Sequence, residues 1–241
     1  RERMSVRRVV VTGLGCVSPL GAGVKQTWQR LVAGECGIGA VPQATEYQAL
    51  GIPTLLAGTV PREGGEQQQQ HPNVAAFDKE QVQKRHVRRQ LPDSIAFALH
   101  AADEALVDAG LSSALGQPAA GFSAPRAGVA IGTGISGLQD IVAANDILHT
   151  RGYRRVSPYL IPNSLVNMAA GLVSISHNLQ GPNHSVSTAC ATGAHSIGRT
   201  CCPTCPCFVV LIRERHTLTY LPLLPVRDCR GCLSLHQVQR R

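Results

Sequence analysis

The sharpest chemical candidate in this chain is a cysteine set among small residues, Thr188-Ala189-Cys190-Ala191-Thr192-Gly193. It follows a short strand-like run, Ser185-Val186-Ser187, and opens a helix-like run of small residues that reaches Gly198. A helix N-terminus carries unpaired N–H groups and about half a positive charge, which favours thiolate over thiol. The same N–H groups suit an oxyanion, and small neighbours leave room for a thioester. These features fit a nucleophile, although on spacing alone a buried, inert cysteine fits better. His195 is a poor base for it, because an i, i+5 pair on one helix is turned about 140° apart. His177 and His184 belong to no recognisable pattern.

Two further motifs invite chemistry. Gly132-Thr133-Gly134-Ile135-Ser136-Gly137 is a literal G-x-G-x-x-G between a strand-like and a helix-like run. A dinucleotide site also needs an acid about 20 residues later, yet no Asp or Glu occurs from Ile147 to Arg213. A tight glycine turn, where backbones approach closely, is therefore the better reading. Gly13-Leu14-Gly15 is weaker still, because Ser18 stands where the third glycine belongs. Near the C-terminus, Cys202-Pro203-Thr204-Cys205 and Cys229-Arg230-Gly231-Cys232 lie close to zinc-ribbon spacing. Extra cysteines and prolines crowd these pairs. A stretch joined by alternative splicing or retained non-coding sequence explains them better than structural zinc, and no metal ligand is assigned.

The elements that must position Cys190 follow from periodicity. Val9-Val10-Val11, closed by Thr12-Gly13, reads as a buried strand, and Gly128–Gly132 as a second. Thr27–Ala33 reads as a helix stopped at Gly34. Asp93–Ala109 is the best helix, with Ile95, Ala98, Leu99, Ala102, Leu106 and Ala109 at i, i+3 and i+4 spacing before Gly110. Leu138–Leu148 is another helix, and Val166–Leu179 is apolar on most sides and so expected to be buried. Strands alternating with helices predict an α/β fold, a parallel or mixed sheet layered with helices. Residues 61–73, with Pro, Gly and the Gln67–Gln70 run, read as a surface loop. After Gly198 the pattern breaks. The prolines at 203 and 206 cannot continue a helix, and no period holds through the irregular tail.

Composition narrows the function classes. With 44% apolar and 16% charged residues, the chain is suited to a packed core. No apolar run approaches the roughly 20 residues that span a bilayer, so no membrane partner is expected. The net charge of +8 is uneven: residues 199–241 hold seven Arg against two acids (+5), and residues 1–198 hold 16 basic against 13 acidic (+3). A body so mildly basic argues against nucleic acid as the partner. Only Cys16, Cys36 and Cys190 lie in that body, which is no disulfide framework and fits a reducing compartment. The start, Arg1 to Arg8, is basic without an apolar stretch. It reads equally as the remnant of a transit segment or as a solvated terminus.

A series of ordered segments carries a resemblance. The run Arg8-Val9-Val10-Val11-Thr12-Gly13-Leu14-Gly15 and then Ser18-Pro19-Leu20-Gly21 resembles the opening of the β-ketoacyl-acyl-carrier-protein synthases. Ile131-Gly132-Thr133-Gly134, Val156-Ser157-Pro158-Tyr159, Pro162, Val166 to Gly171, Gly181-Pro182-Asn183 and Ser187 to Gly198 then match in order. The detail is most similar to the mitochondrial, fatty-acid-elongating type. The resemblance implies a thiolase-like fold, of which residues 7–198 would be the N-terminal half of the αβαβα arrangement and 199–241 an unrelated Cys/Arg/Pro-rich tail. It implies that Cys190 takes an acyl chain from acyl carrier protein, before condensation with malonyl-carrier protein. It also implies no cofactor, a homodimer in the full-length family and a mitochondrial address.

By the same resemblance Ile135 matches a position lining the acyl pocket. Lys84, Arg85, Arg88 and Arg89 lie where relatives present a basic patch to the acidic carrier protein, in keeping with steering of acidic partners by positive charge. A merely solvated basic face fits those four residues as well. The family's downstream motifs H-G-T and K-S-x-x-G-H, which carry its histidines and lysine, do not occur in this sequence. The expectation is therefore a truncated condensing enzyme lacking full activity. Its rivals are a non-catalytic module binding the carrier protein or a dimer partner, and a zinc-binding interaction protein acting through the tail.

Overall fold

The computed structural model describes residues 10–41, 43–65, 73–86, 90–113, 117–135 and 137–200. A short hairpin opens it: β1 (Val17–Ser18) pairs antiparallel with β2 (Gly21–Ala22) and leads into α1 (Val24–Val32). β3 (Ile38–Ala40) and β4 (Leu56–Gly58) form a second antiparallel pair around α2 (Ala44–Ala49). Then follow α3 (Lys79–Arg85), whose N-cap Asp78 accepts the Gln81 N–H, and α4 (Asp93–Asp108). β5 (Val129–Gly132) is joined through α5 (Leu138–Arg151), α6 (Leu160–Ser164) and α7 (Met168–Ser176) to β6 (Asn183–Val186). These last two strands run parallel, Val129 opposite Asn183 and Gly132 opposite Val186. The helix α8 (Thr192–Thr200) follows. Among the described residues the sheet structure is thus three two-stranded pairs.

The core is built on α4. Ile95, Ala96, Ala98, Leu99, Ala101, Ala102, Ala105 and Leu106 are all buried, so the helix is enclosed on most of its circumference. Its alanines admit close neighbours. A Cβ on Gly15 would stand 1.8 Å from the Ala101 carbonyl oxygen, and one on Gly13 2.3 Å from that of Ala105. The chain from Gly13 to Cys16 therefore lies directly on the helix backbone, which only glycine permits. On its other sides α4 meets α3 and α7, and β5 is flanked by α7 and α8. All four residues of β5 are buried, which is expected of a parallel strand covered on both faces.

Three sequence expectations are corrected. Val9 lies outside the described residues, and Val10 and Val11 are 47% and 57% exposed and in no strand. The segment that follows them is anchored by helix side chains: the Leu14 N–H donates to Asp108 Oδ2 (2.9 Å) and the Cys16 N–H to Glu104 Oε2 (2.8 Å). Helix α1 begins at Val24 and not at Thr27; its apolar residues Trp28, Leu31 and Val32 are exposed and Thr27 is the buried one. The Thr27 hydroxyl sits 2.9 Å from Ser18 Oγ and donates to the Gly21 carbonyl, which turns that face inward. Helix α5 runs on to Arg151 with no buried residue. The Gln67–Gln70 run and the tail cysteines at 201, 202, 205, 207, 229 and 232 lie outside the described residues, and the expected body–tail division at 198 to 199 falls inside α8, which runs on to Thr200.

Candidate active site

Cys190 sits at the junction of β6 and α8. After Val186 the chain is tied to the β5 side, where the Ser187 hydroxyl donates to the Gly134 carbonyl (3.3 Å). Thr188 caps a single 3-10 turn, Ala189–Ala191, that runs straight into α8. Its N–H donates to Thr192 Oγ1 (2.8 Å), and its hydroxyl lies 2.8 Å from His195 Nδ1. Ala189, next to the cysteine, has a positive φ of 48°, one of two such non-glycine residues among those described. Cys190 itself is exposed, which sets aside the buried, inert reading. It stands in the 3-10 turn that leads into α8, where the Ala191 N–H donates to the Thr188 carbonyl (3.1 Å).

The glycine loop abuts this turn. A Cβ on Gly132 would stand 2.2 Å from Thr192 Cγ2 and 2.5 Å from Ser196 Oγ, so β5 and α8 meet through the absence of a side chain. A Cβ on Gly134 would lie 3.7 Å from the Ala189 carbonyl oxygen, in ordinary contact. Gly137 has φ +64° and backs onto Ser164. Close backbone approach accounts for the glycines of this motif. Ile135 stands in the same loop, 65% exposed, so Ile135 and Cys190 belong to two loops in contact. His195 is engaged with Thr188, and His184 lies in β6 opposite Ala130.

The basic residues are placed elsewhere. Lys84 and Arg85 end α3, which packs on α4 and not on the Cys190 turn. Lys84 is within 3.5 Å of Glu80, with both side chains open to water, while Arg85 donates to Asp103 Oδ2 at 3.0 Å. Arg88 and Arg89 lie outside the described residues.

Sequence reasoning missed the cluster around Asp103. His86, just past α3, and His177, just past α7, each place Nε2 3.1 Å from an Asp103 carboxylate oxygen, both rings nearly buried. Burial pushes the Asp103 carboxyl up, but its close contacts with the His177 and His86 rings outweigh it and hold the group well below the usual carboxylate range. His100, one turn back on α4, is pushed down chiefly by burial, against the pull of Asp103. Glu104 is pushed up by burial, although the Cys16 and Val24 amides bind it. Only the i, i+3 placing of His100 and Asp103 on one helix was visible beforehand. Among the described residues no group of three or more His, Cys, Asp or Glu side chains could hold a metal ion, the Asp103 cluster included. No helix among them is long and apolar enough to cross a membrane.

Known proteins bear on this arrangement. Residues 6–203 match the family model described as β-ketoacyl synthase, N-terminal domain. The chain is 42% identical over 193 residues to 3-oxoacyl-(acyl-carrier-protein) synthase 2 of Rhizobium meliloti (strain 1021), covering 80% of this chain and 42% of that protein. It is 41% identical over 205 residues to the mitochondrial 3-oxoacyl-(acyl-carrier-protein) synthase of Arabidopsis thaliana, covering 80% and 41%. Among solved structures, a type II polyketide acyl-carrier protein in complex with its hexaketide-bound ketosynthase, AntDE:AntF, superposes with a TM-score of 0.58 at 24% identity. That match covers 82% of this chain and 42% of that one. The chain thus spans less than half the length of the proteins it matches.

Proposed function

The chain belongs to the β-ketoacyl synthase family, with the α/β, thiolase-like fold of its N-terminal half, and from that premise we propose that Cys190 accepts an acyl group as a thioester. The reaction is that of a 3-oxoacyl-acyl-carrier-protein synthase of fatty-acid biosynthesis. The Cys190 thiolate attacks the thioester carbonyl carbon of an acyl-carrier protein. The carbonyl oxygen takes the negative charge, the bond to the carrier sulfur breaks, and the carrier leaves as a thiol once protonated. Malonyl-carrier protein then loses carbon dioxide, and its carbanion displaces Cys190 from the acyl group to form the new carbon–carbon bond. One observation carries the reading: the family-matched segment presents an exposed thiol at the opening turn of a helix, bounded by small residues. The Cys190 N–H at that turn suits the oxyanion of the first step, since the Thr188 and Ala191 N–H groups are held within the turn.

Other roles follow from the same premise. Ile135, exposed in the loop that touches the Cys190 turn, would contact the acyl chain. Lys84, Arg85, Arg88 and Arg89 would form the docking surface for the acidic carrier protein, with Lys84 the freer of the two described cations because Arg85 is bound to Asp103. The acyl-carrier protein bound in one structural neighbour and the mitochondrial placing of one relative support that partner and that compartment. Assembly with a second copy, as the family resemblance implies, belongs to the same proposal.

The test is a covalent adduct. Incubation with acyl-carrier protein, or with a cerulenin-type cysteine reagent, is expected to add one mass to the Cys190 peptide and none in Cys190→Ala. Malonyl decarboxylation is then assayed on the acylated chain. No acyl adduct at Cys190 under conditions that load a full-length relative would overturn the reading. Carrier protein retained without any adduct would favour a non-catalytic binding module.

A further inference from the structure

Ala189 holds a backbone conformation that alanine avoids, φ 48°, immediately before the exposed Cys190. Such a residue persists only where its surroundings over-determine it. The surroundings here are two side chains from α8, both directed at Thr188. Thr192 Oγ1 accepts the Thr188 N–H at 2.8 Å, reaching back across Ala189, Cys190 and Ala191. His195 Nδ1 meets the Thr188 hydroxyl at 2.8 Å. Thr192 is 1% exposed, and its methyl lies where a side chain on Gly132 would have to go. Its methyl is thus braced on β5 while its hydroxyl holds the chain just ahead of the cysteine.

We propose that Thr192 is a positioning residue for Cys190, its hydroxyl closing the turn on the Thr188 amide so that the thiol stays at the opening of α8. The proposal deepens the acyl-acceptor reading and rests on it for its catalytic meaning. Thr192 touches no substrate; it acts through the backbone, as the reciprocal side chain of a helix cap does. The hydroxyl carries this role and the methyl does not, so Val and Ser substitutions separate the two.

The experiment is site-resolved alkylation of the full chain with iodoacetamide across pH, read by peptide mass spectrometry. Cys16, a buried thiol, serves in the same sample as the reporter of folding, since it reacts only when the core opens. Thr192→Val is expected to slow Cys190 labelling by about fivefold to tenfold, the range a lost hydrogen bond supports. It is also expected to speed deuterium exchange at the Thr188 amide. Thr192→Ser keeps the acceptor and is expected to label within about twofold of the parent. If Thr192→Val exposes Cys16, Thr192→Ala in an Ala189→Gly background is read in its place, because glycine carries no strain at that φ. Parent-like labelling of the variant that lacks the hydroxyl overturns the proposal, as does an equal loss in Thr192→Ser. Acyl transfer from acyl-carrier protein is followed in the same samples. A Cys190 that alkylates with the expected Thr192 dependence yet accepts no acyl group sinks the acyl-acceptor reading and leaves the positioning intact.

Discussion

Burial alone would keep the Asp103 carboxyl protonated to higher pH than a solvated aspartate, yet two imidazoles and the Arg85 guanidinium surround it and the balance falls the other way. The folded chain therefore holds fewer protons at this site than the unfolded chain near pH 4 and below. Stability from Asp103 is full above its unfolded value of about 3.9 and drains as pH falls through the lower, folded one. Asp93, tied to Lys79 and Arg62 against the cost of burial, adds in the same direction. His100 acts higher up: its folded value is depressed by burial, so stability begins to fall once pH drops below about 6.5. Glu104 opposes these, since its raised folded value makes stability decline as pH rises from about 4.3. The urea midpoint is accordingly expected to drop in two stages on acidification. Asp103→Asn should flatten the lower stage and cost about 2 kcal/mol at pH 7, since two buried imidazoles lose their anion. An unchanged acid limb in that variant would show that Asp103 is not its source. The sequence showed only the i, i+3 pair His100 and Asp103 inside α4; His86 and His177 reach it from the C-terminal ends of α3 and α7, and that meeting is tertiary. The exposure of Cys190 was not legible either, because its local spacing fits a buried cysteine better and only the ordered family segments singled it out.

At the scale of elements, legibility followed self-sufficiency. Asp93–Ala109 was readable because the whole apolar stripe of α4 is written in one continuous segment, and its end at Gly110 is marked by a left-handed φ of 67°. β5 was readable as a run with no polar position, as a strand covered on both faces must be. Val10 and Val11 misled, because β-branched residues propose a strand but only a neighbouring strand completes one; among the described residues none pairs with them, and the chain just after them, from Gly13 to Cys16, lies on α4. The helical spacing over Thr27–Ala33 gave the helix but not its face, which the paired Ser18 and Thr27 hydroxyls turn inward while Trp28 stays exposed. The docking of residues 13–16 on α4 makes a sharp prediction. Gly15→Ala places a methyl against the Ala101 carbonyl, backbone against backbone, where nothing can yield. A loss of about 2–4 kcal/mol is expected. Gly39→Ala, with nothing within 4 Å of the added methyl, is the control and should stay within about 0.5 kcal/mol. Leu99, fully buried in the middle of α4, should cost about 2–5 kcal/mol on truncation to Ala. Chemical denaturation of the three variants checks all of these, and equal stability of the two glycine variants would contradict the close docking of Gly15.

Across the whole molecule, the described surface carries many large apolar side chains. Trp28 and Val32 on α1, Ile135 beside the Cys190 turn, Ile161 on α6 and Ile175 on α7 are each at least 60% exposed. Single exposed apolar residues are ordinary, but so many on several elements leave contact area that water wets poorly. The net charge of +8 works against association by keeping copies apart. Two opposed tendencies of this kind separate under salt, which screens the charges over about 8 Å at physiological strength and leaves apolar contact untouched. The purified chain is expected to bind a hydrophobic dye such as ANS while folded, and to show a weight-average mass by sedimentation that rises with concentration and rises further with added salt. Replacing Ile161 and Ile175 by Gln should lower both signals with a change in stability within about 1 kcal/mol, because neither side chain is part of the buried core. The buried Cys16 thiol distinguishes folded association from unfolding, as it stays unlabelled in the first and reacts in the second. A chain that sediments as a monomer at high concentration and high salt, with no dye bound, would mean that these side chains do not form a continuous apolar surface.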